Sequence, residues 1–182
     1  MAGTTDIAPR IRDASCDDLP AVQAIYAHHV VHGLGSFEEE PPDLDEIERR
    51  FRAIGERGLP YLVAELDGAV RGFAYVGPYR PRPAYRFSVE TSVYVAPGFE
   101  GRGLGRALLE ENIVRCETLE LRRMVAVIGD SGNLPSIRLH ESLGFQMSGV
   151  IPSVGFKLGR WVDTVIMDRP LGEGDRTLPA DT

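Results

Sequence analysis

The chain is 182 residues long, 43% hydrophobic, and carries a formal net charge of −7. A chain of that length fits one domain and buries an ordinary core, so it needs neither metal nor disulfide to fold. No stretch approaches the ~20 uncharged apolar residues of a membrane helix, and the acidic balance argues against nucleic acid as a partner. Residues 1–9 lack the basic and apolar regions of a secretory leader, so a cytoplasmic protein is expected.

Residues 10–13 read as a short first strand. Ser15, with Asp18 three residues on, is an N-cap pattern before Leu19, Val22, Ile25, Tyr26, His29 and Val30 at helical spacing. Asp43 and Glu46 form a second one, leading into Leu44, Ile47, Phe51 and Ile54 and stopping at Gly55. Between them lies a loop, 33–42, with Phe37 exposed beside three glutamates. Segments 61–66 and 70–76 flank the hairpin signal Asp67-Gly68, and 77–83 is a loop with three prolines and two arginines.

A long strand is expected over 85–95, with Phe87, Val89, Thr91, Val93 and Val95 on one side and Glu90, Ser92 and Tyr94 on the other. A helix over 104–119, a fully apolar strand over 124–128 and a short helix from Pro135 to a stop at Gly144 follow. Strands over 146–151 and 162–167 complete the order. The expected fold is mixed α/β, a largely antiparallel central sheet flanked by helices. The folded domain is expected over 9–171, with flexible tails at 1–8 and 172–182.

Cys16 and Cys116 belong to no metal-spacing pattern and read as reduced, structural thiols. His28 and His32 can share a helix face at i, i+4, but no third ligand is in view, so no metal is expected.

The segment richest in chemistry is Glu100-Gly101-Arg102-Gly103-Leu104-Gly105-Arg106, which follows a long strand and opens an amphipathic helix. Its glycines let backbone N–H groups converge on phosphate oxygens, and the helix dipole adds positive potential there. Arg102 and Arg106 supply cations at the same spot. A dinucleotide fold would place such a loop after the first strand, and a nucleotide-triphosphate loop would end in Gly-Lys-Ser/Thr. Neither context is present; the bland alternative is a tight strand-to-helix turn.

At this point the sequence resembles the GNAT acetyltransferase superfamily, whose Gln/Arg-x-x-Gly-x-Gly/Ala signature corresponds to Glu100 through Gly105, with Glu100 departing from the pattern. Asn133, Ser136 and Gly144-Phe145 match the helix that flanks the pantetheine arm. The likeness narrows to phosphinothricin N-acetyltransferase and its methionine sulfone or sulfoximine relatives, and extends over residues 11–171. Its specific tracts are Phe37-Glu38-Glu39-Glu40-Pro41, the run Val89 through Val95, Val125-Ala126-Val127-Ile128-Gly129, Leu139-His140-Glu141-Ser142-Leu143-Gly144-Phe145, and the run Val154 through Trp161.

The resemblance implies acetyl-CoA as co-substrate and direct attack by the primary amine of a small, amino-acid-like acceptor. An ammonium must lose a proton before it attacks, and the family's base falls on Glu90, with removal through water and partial burial expected. His140 takes the place of a tyrosine that many relatives use to protonate the leaving thiolate; it also reads as a helix histidine bonded to a backbone carbonyl. Val93, Tyr94 and Val95 are expected to offer backbone groups to the cofactor arm, Asn133 a side chain, and 100–106 with Ser136 the remaining contacts. Arg80, Arg82, Tyr85, Tyr79, Thr91 and Ser92 are the expected acceptor contacts, with Phe37 in the loop covering the acceptor. Arginine's planar fork suits a carboxylate or a tetrahedral anionic group.

Trp161 is expected in the core or a dimer interface, since relatives are commonly homodimers. Two rivals stay open: an N-acetyltransferase for polyamines, aminoglycosides or protein N-termini, and a non-catalytic acyl-CoA-binding domain. An arginine-rich loop speaks against a polycationic acceptor.

Overall fold

A computed structural model describes residues 8–179. The expected tail at 1–8 lies almost wholly outside those residues, as does the end of the 172–182 tail. Up to residue 179 that second segment runs through turns, with Arg122 donating to Thr177 Oγ1 at 3.1 Å and to the Leu178 carbonyl at 3.4 Å.

Among the described residues seven strands form one sheet: β1 (Arg10–Asp13), β2 (Tyr61–Leu66), β3 (Ala69–Pro78), β4 (Ser88–Val95), β5 (Arg123–Gly129), β6 (Gln146–Lys157) and β7 (Arg160–Pro170). Their spatial order is β1-β2-β3-β4-β5-β7-β6, and every neighbouring pair is antiparallel except β4 with β5. The mixed, largely antiparallel sheet expected from the sequence is therefore the one observed. Among the described residues four helices cover it: α1 (Leu19–His32), α2 (Leu44–Gly55), α3 (Leu104–Thr118) and α4 (Leu134–Ser142).

The pleat sorts the core by parity. Tyr61, Val63 and Phe73 face α1 and α2, meeting Val22, Ile25, Tyr26, Ile47 and Ile54. Leu62, Ala64 and Ala74 face the other way, against Leu104 and Leu108 of α3. Because both faces are covered, β2 is an almost uninterrupted apolar run rather than an alternating one. Val89, Met124, Ala126 and Ile128 continue the second layer against Leu109, Ile113 and Ile137.

Three boundaries differ from the sequence expectation. The strand expected over 85–95 starts at Ser88, because Pro83–Tyr85 forms a 3-10 turn with proline at its first position. The last two strands are far longer than 146–151 and 162–167. Pro152 and Ser153 interrupt the apolar pattern, yet they form a bulge, with Ser153 at φ 51° and the register stepping from Ile151↔Thr164 to Gly155↔Val162. The hairpin then closes through Leu158 and Gly159, both left-handed at φ 50° and 74°, as tight hairpin turns require.

Phe73 is 1% exposed and stacks within 5.1 Å of the Tyr94 ring and 6.2 Å of the Tyr61 ring. Phe73→Ala removes that ring from between α1 and the sheet and is expected to cost about 3–5 kcal/mol, read as a lowered urea midpoint with an unchanged slope.

Candidate active site

β4 and β5 stay hydrogen-bonded only from Ser88↔Arg123 to Thr91↔Ala126. Beyond that point they part, while the other edge of β4 remains paired with β3 as far as Val95↔Gly72. The strands thus leave a wedge-shaped cleft of about 320 Å³, lined by residues Thr91 through Val95, residues Ala126 through Gly129, and by Asn133, Ser136 and His140. A strand edge without a neighbour presents peptide groups in extended register, the complement of an extended ligand carrying amides.

At its wide end the cleft continues into a second cavity of about 390 Å³, lined by Glu100, Gly101, Gly103, Leu104, Gly105 and Arg106. The two share Val93, Val95, Ser136 and His140. Gly103 is the N-cap of α3, left-handed at φ 80°, and no side chain caps the helix. The first-turn N–H groups are therefore open toward the cavity, an anion cradle of the kind the sequence suggested. Gly105 approaches Leu139 so closely that a Cβ there would sit 3.3 Å from it. This geometry fits a pyrophosphate at the loop and an amide-bearing arm in the cleft.

The side chains around that cradle contribute less than their sequence suggested. Glu100 folds back and accepts from the Gly98 N–H at 2.8 Å. Leu104 is buried in the core and offers only its backbone, whereas Tyr94 is half-buried against the α1 and α2 layer and lines the cleft. Arg106 is held by Glu110 at 2.9 Å and by Ser142 at 3.0 Å, and Arg102 lies over the Phe99 ring. Asn133 Oδ1 caps α4 by accepting from the Ser136 N–H at 3.3 Å, which leaves its amide nitrogen for the cleft.

Glu90 and Thr91 hold the last two paired positions of β4, at the closed end of the wedge. Glu90 is half-buried, and burial raises its carboxyl above the ordinary carboxylate range while Arg80 pulls it the other way. His140 is 5% exposed, and its Nδ1 donates to the Ser136 carbonyl at 2.8 Å. Burial lowers its pKa against the opposing pull of that bond. The imidazole is thus held neutral near pH 7, with Nε2 as the nitrogen carrying a lone pair.

The expected acceptor residues do not all converge. Ser92 and Thr91 both line the cleft, and the Thr91 hydroxyl accepts from Asn112 of α3 at 3.4 Å. Tyr79, Arg80, Arg82 and Tyr85 gather instead around a separate hollow of about 590 Å³, with Arg80 over the Tyr79 ring. Arg80 is the member whose charge reaches Glu90. Phe37 lies away from the cleft wall, which is formed by Gly33, Leu34 and Gly35 of the same loop.

His29 is a cleft residue that sequence reasoning read only as a packing position. Its Nε2 donates to the Val95 carbonyl at 2.8 Å, so one of the expected cofactor-facing groups is already occupied. The signal was weak, since an i+3, i+4 helix pattern marks burial rather than a polar contact to a strand sixty-six positions away. Cys116 is buried, with its thiol pushed up to about 12 by burial, and Cys16 is exposed on the surface. Among the described residues no group of three or more metal-type ligands comes together, and no helix is long and apolar enough to cross a membrane.

A splayed parallel strand pair with an uncapped, glycine-rich helix start beside it defines an acyl-CoA-type transferase site. Comparison with known proteins narrows that class. The Acetyltransferase (GNAT) family matches residues 22–145. The chain is 56% identical to phosphinothricin N-acetyltransferase of Alcaligenes faecalis, over 93% of this chain and 86% of that protein. It is 44% identical to the L-methionine sulfoximine/L-methionine sulfone acetyltransferase of Pseudomonas paraeruginosa, over 86% of this chain and 91% of the relative. Among solved structures, a GNAT superfamily phosphinothricin acetyltransferase from Sinorhizobium meliloti, in complex with AcCoA, superposes with a TM-score of 0.94 at 45% identity, covering 96% of this chain and 95% of that one. The chain belongs to the GNAT acetyltransferase family and is an acetyl-CoA-dependent N-acetyltransferase.

A histidine whose folded pKa lies below 6.5 is protonated more readily in the unfolded chain. Its contribution to stability is therefore full above the unfolded value and is lost as pH falls below it. His140→Gln is expected to flatten the decline in denaturation midpoint between pH ~7.5 and pH ~5.5. An unchanged decline in the variant would rule out a buried neutral imidazole.

Proposed function

We propose that this enzyme acetylates the primary amine of a small amino-acid-like acceptor of the phosphinothricin, methionine sulfone and methionine sulfoximine type. The observation that carries this reading is Glu90, a half-buried carboxylate on the paired stretch of β4 one residue before the cleft lining begins at Thr91, with Arg80 close enough to act on its charge. The named activities of the Alcaligenes faecalis and Pseudomonas paraeruginosa relatives support the acceptor class.

Acetyl-CoA supplies an acyl thioester whose carbonyl carbon is the electrophile. The open amides of the α3 start hold its phosphates, and the unpaired edge of β4 from Ser92 to Val95, with Asn133, aligns its arm. Glu90, through a water, takes the proton from the acceptor's ammonium, and its raised pKa makes it a better base than a solvated glutamate. The neutral Nε2 of His140 takes the proton that the amine sheds on acylation and returns it to the departing sulfur. A lowered pKa favours the second half of that transfer. Arg80 and Arg82, at the rim of the neighbouring hollow, attract the acceptor's carboxylate and its tetrahedral group.

The same reading makes the enzyme a cytoplasmic homodimer. Met147, Val150, Ile151, Val154, Phe156 and Trp161 are all exposed along the β6–β7 hairpin, and Phe156 packs edge-on against Trp161 at 5.3 Å. Trp161 is 65% exposed, so it has no place in the core. An apolar strip along a sheet edge is seldom left to water, and a second copy would cover it. Double substitution Phe156→Asp with Trp161→Asp is expected to give a monomer in sedimentation, whereas a monomeric wild-type protein would defeat the interface.

Thiol release from acetyl-CoA, measured with methionine sulfone, phosphinothricin, spermidine and kanamycin in parallel, tests the acceptor class. Turnover is expected with the first two, and turnover confined to the polycations would overturn the acceptor assignment. Glu90→Gln is expected to lower kcat by roughly 10²–10⁴-fold with acetyl-CoA binding intact. The acid limb of the wild-type rate profile should lie above an ordinary glutamate's range, because the raised carboxyl must ionise before it can act.

A further inference from the structure

The loop from Gly33 to Asp43 crosses one end of the sheet, and glycines on two strands make room for it. A Cβ on Gly129 would lie 1.9 Å from the Leu34 carbonyl oxygen. A Cβ on Gly155 would lie 2.0 and 2.4 Å from ring carbons of Phe37, and all three of its nearest atoms belong to that ring. The two contacts differ in kind. Leu34 meets Gly129 with rigid backbone, whereas Phe37 meets Gly155 with a half-exposed side chain that can rotate away.

The backbone on either side of Phe37 cannot follow such a rotation. The buried Lys157 ammonium donates to the Ser36 carbonyl at 2.6 Å. Tyr26 and Ser36 share a hydrogen bond of 3.0 Å between their hydroxyls. On the other flank, Glu38 accepts from Tyr26 at 2.8 Å and from Arg50 at 2.7 Å. Residues 36 and 38 are thus tied to α1, α2 and β6, and only the ring between them is free. Gly155 and Lys157 share one face of β6 and both meet this loop, while Val154 and Phe156 point to the opposite, exposed face. Gly155 has no left-handed φ, so alanine suits its backbone and the Phe37 ring alone opposes the added methyl.

We propose that Gly155 is a positioning residue for acceptor selection: its bare Cα is the seat of the Phe37 ring, and that seat fixes where the ring stands as a wall of the acceptor site. This rests on the proposed acceptor reading, in which the family resemblance puts Phe37 in the loop that covers the acceptor while Gly33, Leu34 and Gly35 of that loop wall the acetyl-CoA cleft. A methyl at 155 unseats the ring without moving the pinned loop backbone, so the acceptor loses a wall while the acetyl-CoA cleft, lined by Gly33, Leu34 and Gly35, keeps its shape.

The test is a double-mutant cycle of Gly155→Ala and Phe37→Ala, read as KM and kcat for methionine sulfone and as KM for acetyl-CoA. Gly155→Ala is expected to raise the acceptor KM roughly tenfold, with kcat and the acetyl-CoA KM changed less than twofold, and to have no further effect in the Phe37→Ala background. A second readout needs no acceptor: in protein carrying 4-fluorophenylalanine, the fluorine resonance lost in Phe37→Leu should shift in Gly155→Ala. An unshifted resonance, or a Gly155→Ala effect that persists without the Phe37 ring, overturns the seat. A shifted resonance with an unchanged acceptor KM, in Phe37→Ala as well, overturns the link to the acceptor and with it the role of Phe37, while leaving Glu90 and the acyl transfer standing.

Discussion

The separation of β4 from β5 is the constraint on which the rest of the site depends. Two parallel strands that stayed paired would satisfy one another's peptide groups and leave no cleft. Here pairing stops after Thr91↔Ala126, and the remaining edge of β4 is left without a strand neighbour. Buried peptide groups must be satisfied somewhere, and β4 is held straight by β3 up to Val95, so its free edge stays extended rather than collapsing. His29 takes the Val95 carbonyl, and the rest of that edge faces the cavity. The helices on either side serve the same opening: α3 starts beside its mouth, and α4 places Asn133, Ser136 and His140 along its wall.

An acidic protein with a site for a polyanion needs local positive potential, and the structure obtains it chiefly from backbone. Both arginines of the glycine loop are engaged elsewhere, Arg106 with Glu110 and Ser142, Arg102 with Phe99. The uncapped start of α3 remains, with three glycines of the preceding turn, at 98, 101 and 103, in left-handed conformations that a side chain would strain. Glu100, the departure from the family signature, is compatible with this because its carboxylate is spent on the Gly98 amide within the turn. Burial works in opposite senses on the two titratable groups proposed for the proton transfers. It raises Glu90 and lowers His140, so the carboxyl becomes the stronger base and the imidazole the neutral one.

Much of this was legible in the chain. The order of strands and helices, the Asp67-Gly68 hairpin, the capping Asp43 and the glycine loop at the start of α3 all follow from local rules that act within a few residues. Boundaries failed where local signals misled. Residues 85–87 read as the start of a strand, but Tyr85 ends a 3-10 turn opened by Pro83; Pro152 stood just past an expected strand end and made a bulge. The exposed apolar face of β6 defeated the alternation rule, since its outward positions carry Val154 and Phe156 rather than polar residues.

Residue types and their spacing were enough to set which elements form, and so the fold class and a glycine-rich turn at the start of α3, because these depend on periodicity and on φ preferences of single residues. Where strand pairing ends, that the Thr91 hydroxyl meets Asn112, that the arginine-rich loop forms a hollow of its own, and that Gly155 receives Phe37 across more than a hundred positions of chain emerge only on folding. Those facts turn on register and on contacts between distant segments. Moving a strand by one residue exchanges its two faces, and no local signal fixes which glycine a ring will rest on.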